Sequence, residues 1–208
     1  YIGDSLMVMW GMPTPLKNPC ELACQTAIAV RNASNGLRDE WAQQKAPLKF
    51  TTRIGLHYGE AIVGNVGAAD RFNYTMVGDT VNVASRLEGA NKTYKTNIIV
   101  SDAILKQLEH ENASHRFSFR MIGEVTMKGK SKSTLIYELY DQRCSLRQSQ
   151  IEALDAWNRV KKKAIDHGNH AALDQLAAES EDLRVHPLLI QLKQELETSA
   201  QSTHGTDQ

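Results

Sequence analysis

The chain has 208 residues, enough for one domain with a sizeable core plus an appendage, and its Lys plus Arg equal its Asp plus Glu at 24 each. That balance supplies no bulk field for nucleic acid or an anionic membrane, so local clusters must carry any phosphate binding. Three cysteines argue against a disulfide framework and for a reducing, cytoplasmic compartment; no apolar run reaches the roughly 18 residues of a membrane span, and no signal peptide is recognisable.

The opening "YIGDSLMVMWG" reads as the second half of a hairpin, a Gly-Asp turn followed by a buried strand from Leu6 to Trp10, which Gly11, Pro13 and Pro15 end in a loop. Because the chain starts inside a strand-turn unit, its beginning reads as a cut. Residues 18 to 44 follow as a helix with Leu22, Ala23, Ala27, Val30, Ala33 and Leu37 as its core-facing stripe. In "FTTRIGLHYGEAIVGNVG", Ile54, Leu56 and Tyr58 alternate, Gly59-Glu60 turns, and Ile62-Val63 returns, which predicts a hairpin. "RFNYTMVGDTVNVASRLEGANK" runs from a short strand into a helix with Asp79 as N-cap and Gly89 near its far end.

A strand at Asn97 to Val100, a helix from Ser101 to about Glu109 and two strands, Phe117 to Val125 and Leu135 to Tyr140, flanking "MKGKSK" complete the pattern. Strands alternating with helices, with hairpins among them, predict a mixed sheet with packed helices, an α+β class. Beyond Tyr140 the texture changes to helix formers. Residues 148 to 199 predict two or three amphipathic helices broken at "DHGNH" and before "HPLL", and "SAQSTHGTDQ" reads as a solvated tail. Residues 1–142 thus divide from a helical extension at 143–208.

Three features bear on chemistry. On a helix starting near Asp79, Asn82 and Arg86 share a face while Val81, Ala84 and Leu87 address the core. The amide suits a ribose oxygen and the guanidinium a phosphoryl group gaining charge; from spacing alone, a solvated surface pair fits equally. "MKGKSK" alternates three lysines with Gly129 and Ser131 between two strands, the form of a loop that follows phosphates and equally of a solvated hairpin tip. Asp4 is either a turn residue bonded to its own backbone or a metal ligand, a role that needs a second carboxylate nearby because a hard cation is held by one or two carboxylates plus phosphate oxygens.

The series "YIGDSLMVMWGMP", "RIGLHYGEAIVGNVG", "NYTMVGDTVNVASRLE" and "GEVTMKGKSKSTLIYEL", in this order, resembles the catalytic domain of class III nucleotidyl cyclases. The resemblance covers residues 1 to about 140 and implies a ferredoxin-like cyclase fold, a mostly antiparallel mixed sheet, truncated at its N-terminus and followed by the helical extension. It implies an adenylate cyclase, a phosphorus-oxygen lyase that turns ATP into 3′,5′-cyclic AMP and pyrophosphate with two Mg²⁺ or Mn²⁺ ions in each active site.

By the same resemblance Asp4 is one of two metal-binding aspartates, and Ile2 and Gly3 line the nucleotide site. Asn82 positions the ribose, Arg86 stabilises the transition-state phosphate and Lys128 binds the terminal phosphates with Lys130 beside it. Met76 and Val81 surround the purine. Thr75, seven residues before Asn82, stands where many adenylyl cyclases carry aspartate and guanylyl cyclases carry cysteine, and its hydroxyl favours adenine. The family's other metal aspartate, in a Phe-x-Asp pattern, and its purine-reading lysine are absent from this chain. The resemblance further implies a head-to-tail homodimer whose sites are shared between chains, with Asp4 from one and Asn82, Arg86 and Lys128 from the other, and a membrane attachment only through an upstream region. A guanylate cyclase, a non-catalytic nucleotide-binding or dimerisation module and a partner-binding scaffold are the rival readings.

Overall fold

In the computed structural model the described residues are 1, 3–44, 50–68, 71–126, 133–179 and 186–203. They fall into two units, Tyr1–His115 and Arg116–Gln208. Mixed α and β structure holds in both, with five helices among the described residues.

The first unit opens with a turn at Gly3 and Asp4. No strand follows it: Leu6 to Met9 form no ladder, and Leu6 is 62% exposed with Val8 also exposed. The expected buried strand from Leu6 to Trp10 is thus not formed. An apolar run specifies a strand only where a neighbouring strand takes up its backbone groups, and among the described residues those positions have no ladder partner.

Helix α1 spans Pro19–Gln43, with Pro19 in its first turn where a missing N–H costs nothing. It buries Cys20, Ala23, Cys24, Ala27 and Ile28, whereas Leu22, Val30 and Leu37 are exposed. Ala23 and Ala27 are thus in the core as expected, while Cys20, Cys24 and Ile28 take the core places expected of Leu22, Val30, Ala33 and Leu37. Two adjacent apolar stripes both satisfy the helical period, and tertiary packing selects between them.

Strand β1 (Ile54–Leu56) does not turn back on β2 (Ile62–Ala68) as the alternation predicted. It pairs in parallel with β4 (Ile98–Ser101), Gly55 opposite Ile99. The hairpin is formed instead by β2 and β3 (Arg71–Val77), in register from Ile62–Val77 to Ala68–Arg71. Local alternation marks a strand's faces but not its partner, which is a long-range choice. β4 is buried throughout, as its uninterrupted "IIVS" run requires.

Helix α2 (Asp79–Tyr94) starts one residue earlier than an Asp79 cap would place it: Gly78 is the N-cap, at φ 145, and Asp79 sits in the first turn where its charge meets the helix dipole. It also runs past Gly89 to end at Lys95 in the left-handed conformation. Helix α3 (Asp102–His110) follows β4 directly, with extended Ser101 in the N-cap position but making no side-chain cap bond, and buries Ile104 and Leu108.

In the second unit β5 (Phe117–Thr126) and β6 (Ser133–Gln142) form the predicted antiparallel pair, with register shifts between Ser118 and Phe119 and between Met121 and Gly123. Helix α4 (Gln148–Ala177) is interrupted at Gly168, φ 85, inside the predicted "DHGNH" break, and α5 (Pro187–Thr203) begins at the predicted Pro. α5 extends through Thr203, so the first half of the expected tail is helical. Ala156, Trp157 and Val160 pack with Ala172 and Leu176 beyond the kink and with Leu189, Leu192 and Leu196 of α5.

α4 also completes β5. The Asn158 side chain accepts the Met121 N–H (2.7 Å) and donates to the Phe119 carbonyl (2.8 Å), while the Trp157 indole donates to the Met121 carbonyl (2.7 Å). A primary amide carries one donor and one acceptor side by side, so Asn158 offers β5 what a neighbouring strand would. Arg120 lies over the Trp157 ring, 4.9 Å from its centroid, and pairs with Glu138 at 2.7 Å.

Candidate active site

Five of the predicted site residues lie in one continuous strand-to-helix segment. Thr75 and Met76 stand half-buried near the end of β3, and Val77 and Gly78 lead directly into α2, whose first two turns carry Val81, Asn82 and Arg86. On α2 the core face is the stripe Val83, Leu87 and Asn91. Asn82 and Arg86 are exposed one step round the helix, four residues apart, so both project from one side of it. Val81 is half-buried; Ala84, expected in the core, is only partly so.

The entry to α2 is fixed from the loop after β1. The Thr80 hydroxyl donates to the Glu60 carbonyl. Gly59 leaves room for that hydroxyl, since a Cβ there would stand 2.8 Å from the Thr80 Oγ1. The same loop carries His57, whose Nδ1 lies 2.7 Å from the hydroxyl of buried Ser101 at the start of α3. The β1, α2 and α3 ends are thereby tied together by short polar contacts.

Gly3 and Asp4 lie on a separate exposed turn, with Gly3 at φ 61, a left-handed backbone that favours glycine. Ile2, Lys128 and Lys130 lie outside the described residues. Among the described residues no group of three or more His, Cys, Asp or Glu side chains is placed to hold a metal ion.

Residues that the sequence reading passed over hold the site's framework. Gly55 and Asn91 join α2 to β1; Gly55 lies within "RIGLHYGEAIVGNVG" but drew no role there, and Asn91 lies outside the four motifs. The only signal for Asn91 was a polar residue at the next position of the Val83–Leu87 stripe.

The chain belongs to the class III cyclases: residues 1–140 match the family model described as the adenylate and guanylate cyclase catalytic domain. It is 41% identical over 139 residues to adenylate cyclase 1 of Rhizobium meliloti, covering 67% of this chain and 20% of that protein. It is 33% identical over 143 residues to an adenylate cyclase of Anabaena cylindrica, covering 67% of this chain and 27% of the relative. The chain thus spans about a fifth to a quarter of the length of these curated relatives.

Among solved structures, the adenylyl cyclase CyaB from P. aeruginosa superposes with a TM-score of 0.56 at 30% identity, covering 66% of this chain and 68% of that one. The guanylyl cyclase Cya2 gives 0.51 at 25% identity, with 64% of each chain covered. Cyclases named for either purine therefore share the fold, which does not by itself choose the base.

No helix among the described residues is long and apolar enough to cross a membrane.

Proposed function

We propose that the chain carries an adenylate cyclase catalytic domain, converting ATP into 3′,5′-cyclic AMP and pyrophosphate. The observation that carries this reading is the exposed Asn82–Arg86 pair on α2, in a segment that matches the cyclase family. Adenine is supported by the two relatives named above, both adenylate cyclases, and by Thr75, a half-buried hydroxyl that can pair with a polar edge of the base.

In this reading the ribose 3′-oxygen attacks the α-phosphorus. A new O3′–P bond forms as the bond from that phosphorus to the bridging oxygen of the β-phosphate breaks, pyrophosphate leaves with that bond's electron pair, and the 3′-hydroxyl proton passes to solvent water. Asn82 holds the ribose so that the 3′-oxygen lies in line, and Arg86 meets charge building on the α-phosphoryl oxygens. Losing one such contact costs about 10²- to 10³-fold in rate. Met76 and Val81 flank the purine, Ile2 and Gly3 line the site, and Lys128 with Lys130 neutralises the departing pyrophosphate. Two Mg²⁺ or Mn²⁺ ions supply Lewis-acid activation in the family pattern. Asp4 is one ligand of such a site and cannot build it alone, so the 208-residue polypeptide by itself is expected to turn over little ATP.

The homodimer is part of the proposal. On one face of the β2–β3 hairpin Ile62 is 74% exposed, and Val66 and Val77 beside it are exposed too, an apolar strip suited to a second copy. Asp4 of one chain would then serve the Asn82, Arg86 and Lys128 of the other.

The test is complementation in the full-length enzyme. Asp4→Asn and Arg86→Ala should each be nearly inactive. Mixed and allowed to exchange, about half the dimers pair the two variants and each restores one of two sites, so activity should return to roughly a quarter of the unmutated level. A mixture as inactive as its components, with subunit exchange verified, rejects the shared site; an unmutated enzyme that forms no cyclic AMP rejects the activity.

A further inference from the structure

We propose that Asn91 is a positioning residue which, together with Gly55, locks the rotation and register of α2 on β1 and so aims the Asn82–Arg86 face. The functional half of this inference rests on the roles proposed above for those two residues.

The buried stripe of α2 consists of Val83, Leu87 and Asn91. Two of its members are apolar and give burial without direction: a helix held only by them can twist or slide at little cost. Asn91 is different. It is 1% exposed, and its amide is fully used. Nδ2 donates to the carbonyls of Leu87 (3.0 Å) and Glu88 (3.1 Å) within α2 and, 37 positions away in sequence, to the Ile54 carbonyl at the start of β1 (3.0 Å). Oδ1 accepts the hydroxyl of Thr96 (2.8 Å), whose own N–H bonds the Asn91 carbonyl (3.1 Å). A one-residue slip of α2 would rotate it by about 100° and carry the amide away from the Ile54 carbonyl, its partner on β1, which would leave that buried contact unmade.

Gly55 makes the lock possible. A Cβ on it would stand 2.2 Å from the Ala84 carbonyl oxygen and 2.4 Å from the Glu88 nitrogen, so the α2 backbone rests directly on the strand. Arg53 adds an ion pair to Glu88 at 2.7 Å across the same junction. The segment of α2 seated on β1, Ala84 to Asn91, thus overlaps and continues the turn that carries Arg86. Buried polar groups that fix register at some cost in stability are a recognised device, and this one sits where angular error reaches the reacting groups.

The test separates aim from stability. In the 208-residue chain with Cys144→Ser, spin labels are placed on cysteines at exposed Ser85 of α2 and Lys106 of α3, since Cys20 and Cys24 are buried. With Asn91 intact, pulsed electron resonance should give a single narrow distance. Asn91→Leu, which keeps the volume and makes the stripe wholly apolar, should shift that distance or broaden it at least about twofold while the chain stays folded. Thr96→Val, which removes the partner of Oδ1 alone, should do the same to a smaller degree and guards against a leucine variant that fails to fold. Gly55→Ala should displace α2 by direct collision.

In the full-length enzyme Asn91→Leu should lower kcat by about 10²-fold, the cost of misplacing reacting groups by ~1 Å, with KM for ATP held within about threefold. An unchanged distance distribution in folded Asn91→Leu and Thr96→Val, or a kcat within twofold of the unmutated enzyme, overturns the proposal. Absence of cyclic AMP formation by the unmutated enzyme instead removes the adenylate cyclase reading, and the distance measurement still decides the lock.

Discussion

The carboxylate of Glu111 caps helix α1 from the far end of the unit, accepting the Cys20 N–H at 3.0 Å on one oxygen and the Glu21 N–H at 2.8 Å on the other. The residue in the N-cap position, Asn18, makes no side-chain cap bond and donates to Glu21 instead. A cap borrowed from the turn after α3 therefore ties α1 to α3 while it neutralises the positive end of the helix dipole. Replacing Glu111 with alanine should cost about 1–2 kcal/mol, as loss of an N-cap does, and denaturant unfolding measures it. Glu111→Gln, with one oxygen left to accept, should recover part of the loss; equal stability of all three proteins would refute the cap.

The same carboxylate governs the thiols beneath it. Burial, followed by the charge and hydrogen bond of Glu111, pushes the Cys20 thiol up to about 12, and burial with the neighbouring Cys20 and Glu111 charges pushes Cys24 upward as well. Only exposed Cys144 should react quickly with a thiol reagent near pH 8 in the native protein, and three thiols should react after unfolding. The unfolded chain releases the Cys20 proton near pH 8.5 to 9 while the folded chain keeps it to about 12. Stability is consequently whole below that window and falls as pH rises through it, by about 1.4 kcal/mol per pH unit per thiol. Cys20→Ala should flatten the alkaline limb of an unfolding profile.

Base choice is tested at Thr75. In the full-length enzyme Thr75→Val keeps the side-chain shape and deletes the hydroxyl, so a polar edge of the base loses its partner. The preference for ATP over GTP should narrow by about 1–3 kcal/mol in kcat/KM. An unmutated enzyme that turns over GTP as well as ATP would defeat the adenine assignment.

Asn158 gives a fourth expectation. Asn158→Leu should strand the Met121 N–H and the Phe119 carbonyl beside an unpaired length of β5, costing about 1–3 kcal/mol. Amide exchange at Met121 should rise well beyond that of residues facing β6. Protection at Met121 equal to the unmutated chain would show that the amide contributes nothing.

Elements whose signal is local were legible in the sequence: α3, the β5–β6 pair and the Gly168 break sit within a residue or two of their predicted places. Errors arose where a distant partner decides. Ile54–Leu56 alternates like half of a hairpin, yet its partner is Ile98–Val100. Of the α1 positions expected in the core, Ala23 and Ala27 are buried, but Leu22, Val30, Ala33 and Leu37 are exposed and Cys20, Cys24 and Ile28 take the remaining core places, a choice that tertiary packing makes between neighbouring faces of one helix. For the site, spacing alone placed Asn82 and Arg86 on one face, but their proposed chemistry comes from the motif series. Asn91 was invisible, because a polar residue in an apolar stripe reads as a gap until its carbonyl partners are known.

The way Asn158 and Trp157 complete β5 bears on how such proteins can be cut and recombined. By chain order the match to the cyclase family stops at residue 140, so a natural place to divide the polypeptide for expression or for grafting a different extension lies just past β6. By hydrogen bonding, the first three turns of α4 belong with the strand that precedes them. A boundary drawn between β6 and α4 would leave a sheet margin open to pairing with other chains, and a chimera would inherit that hazard unless the incoming helix brought an amide and an indole to the same two positions.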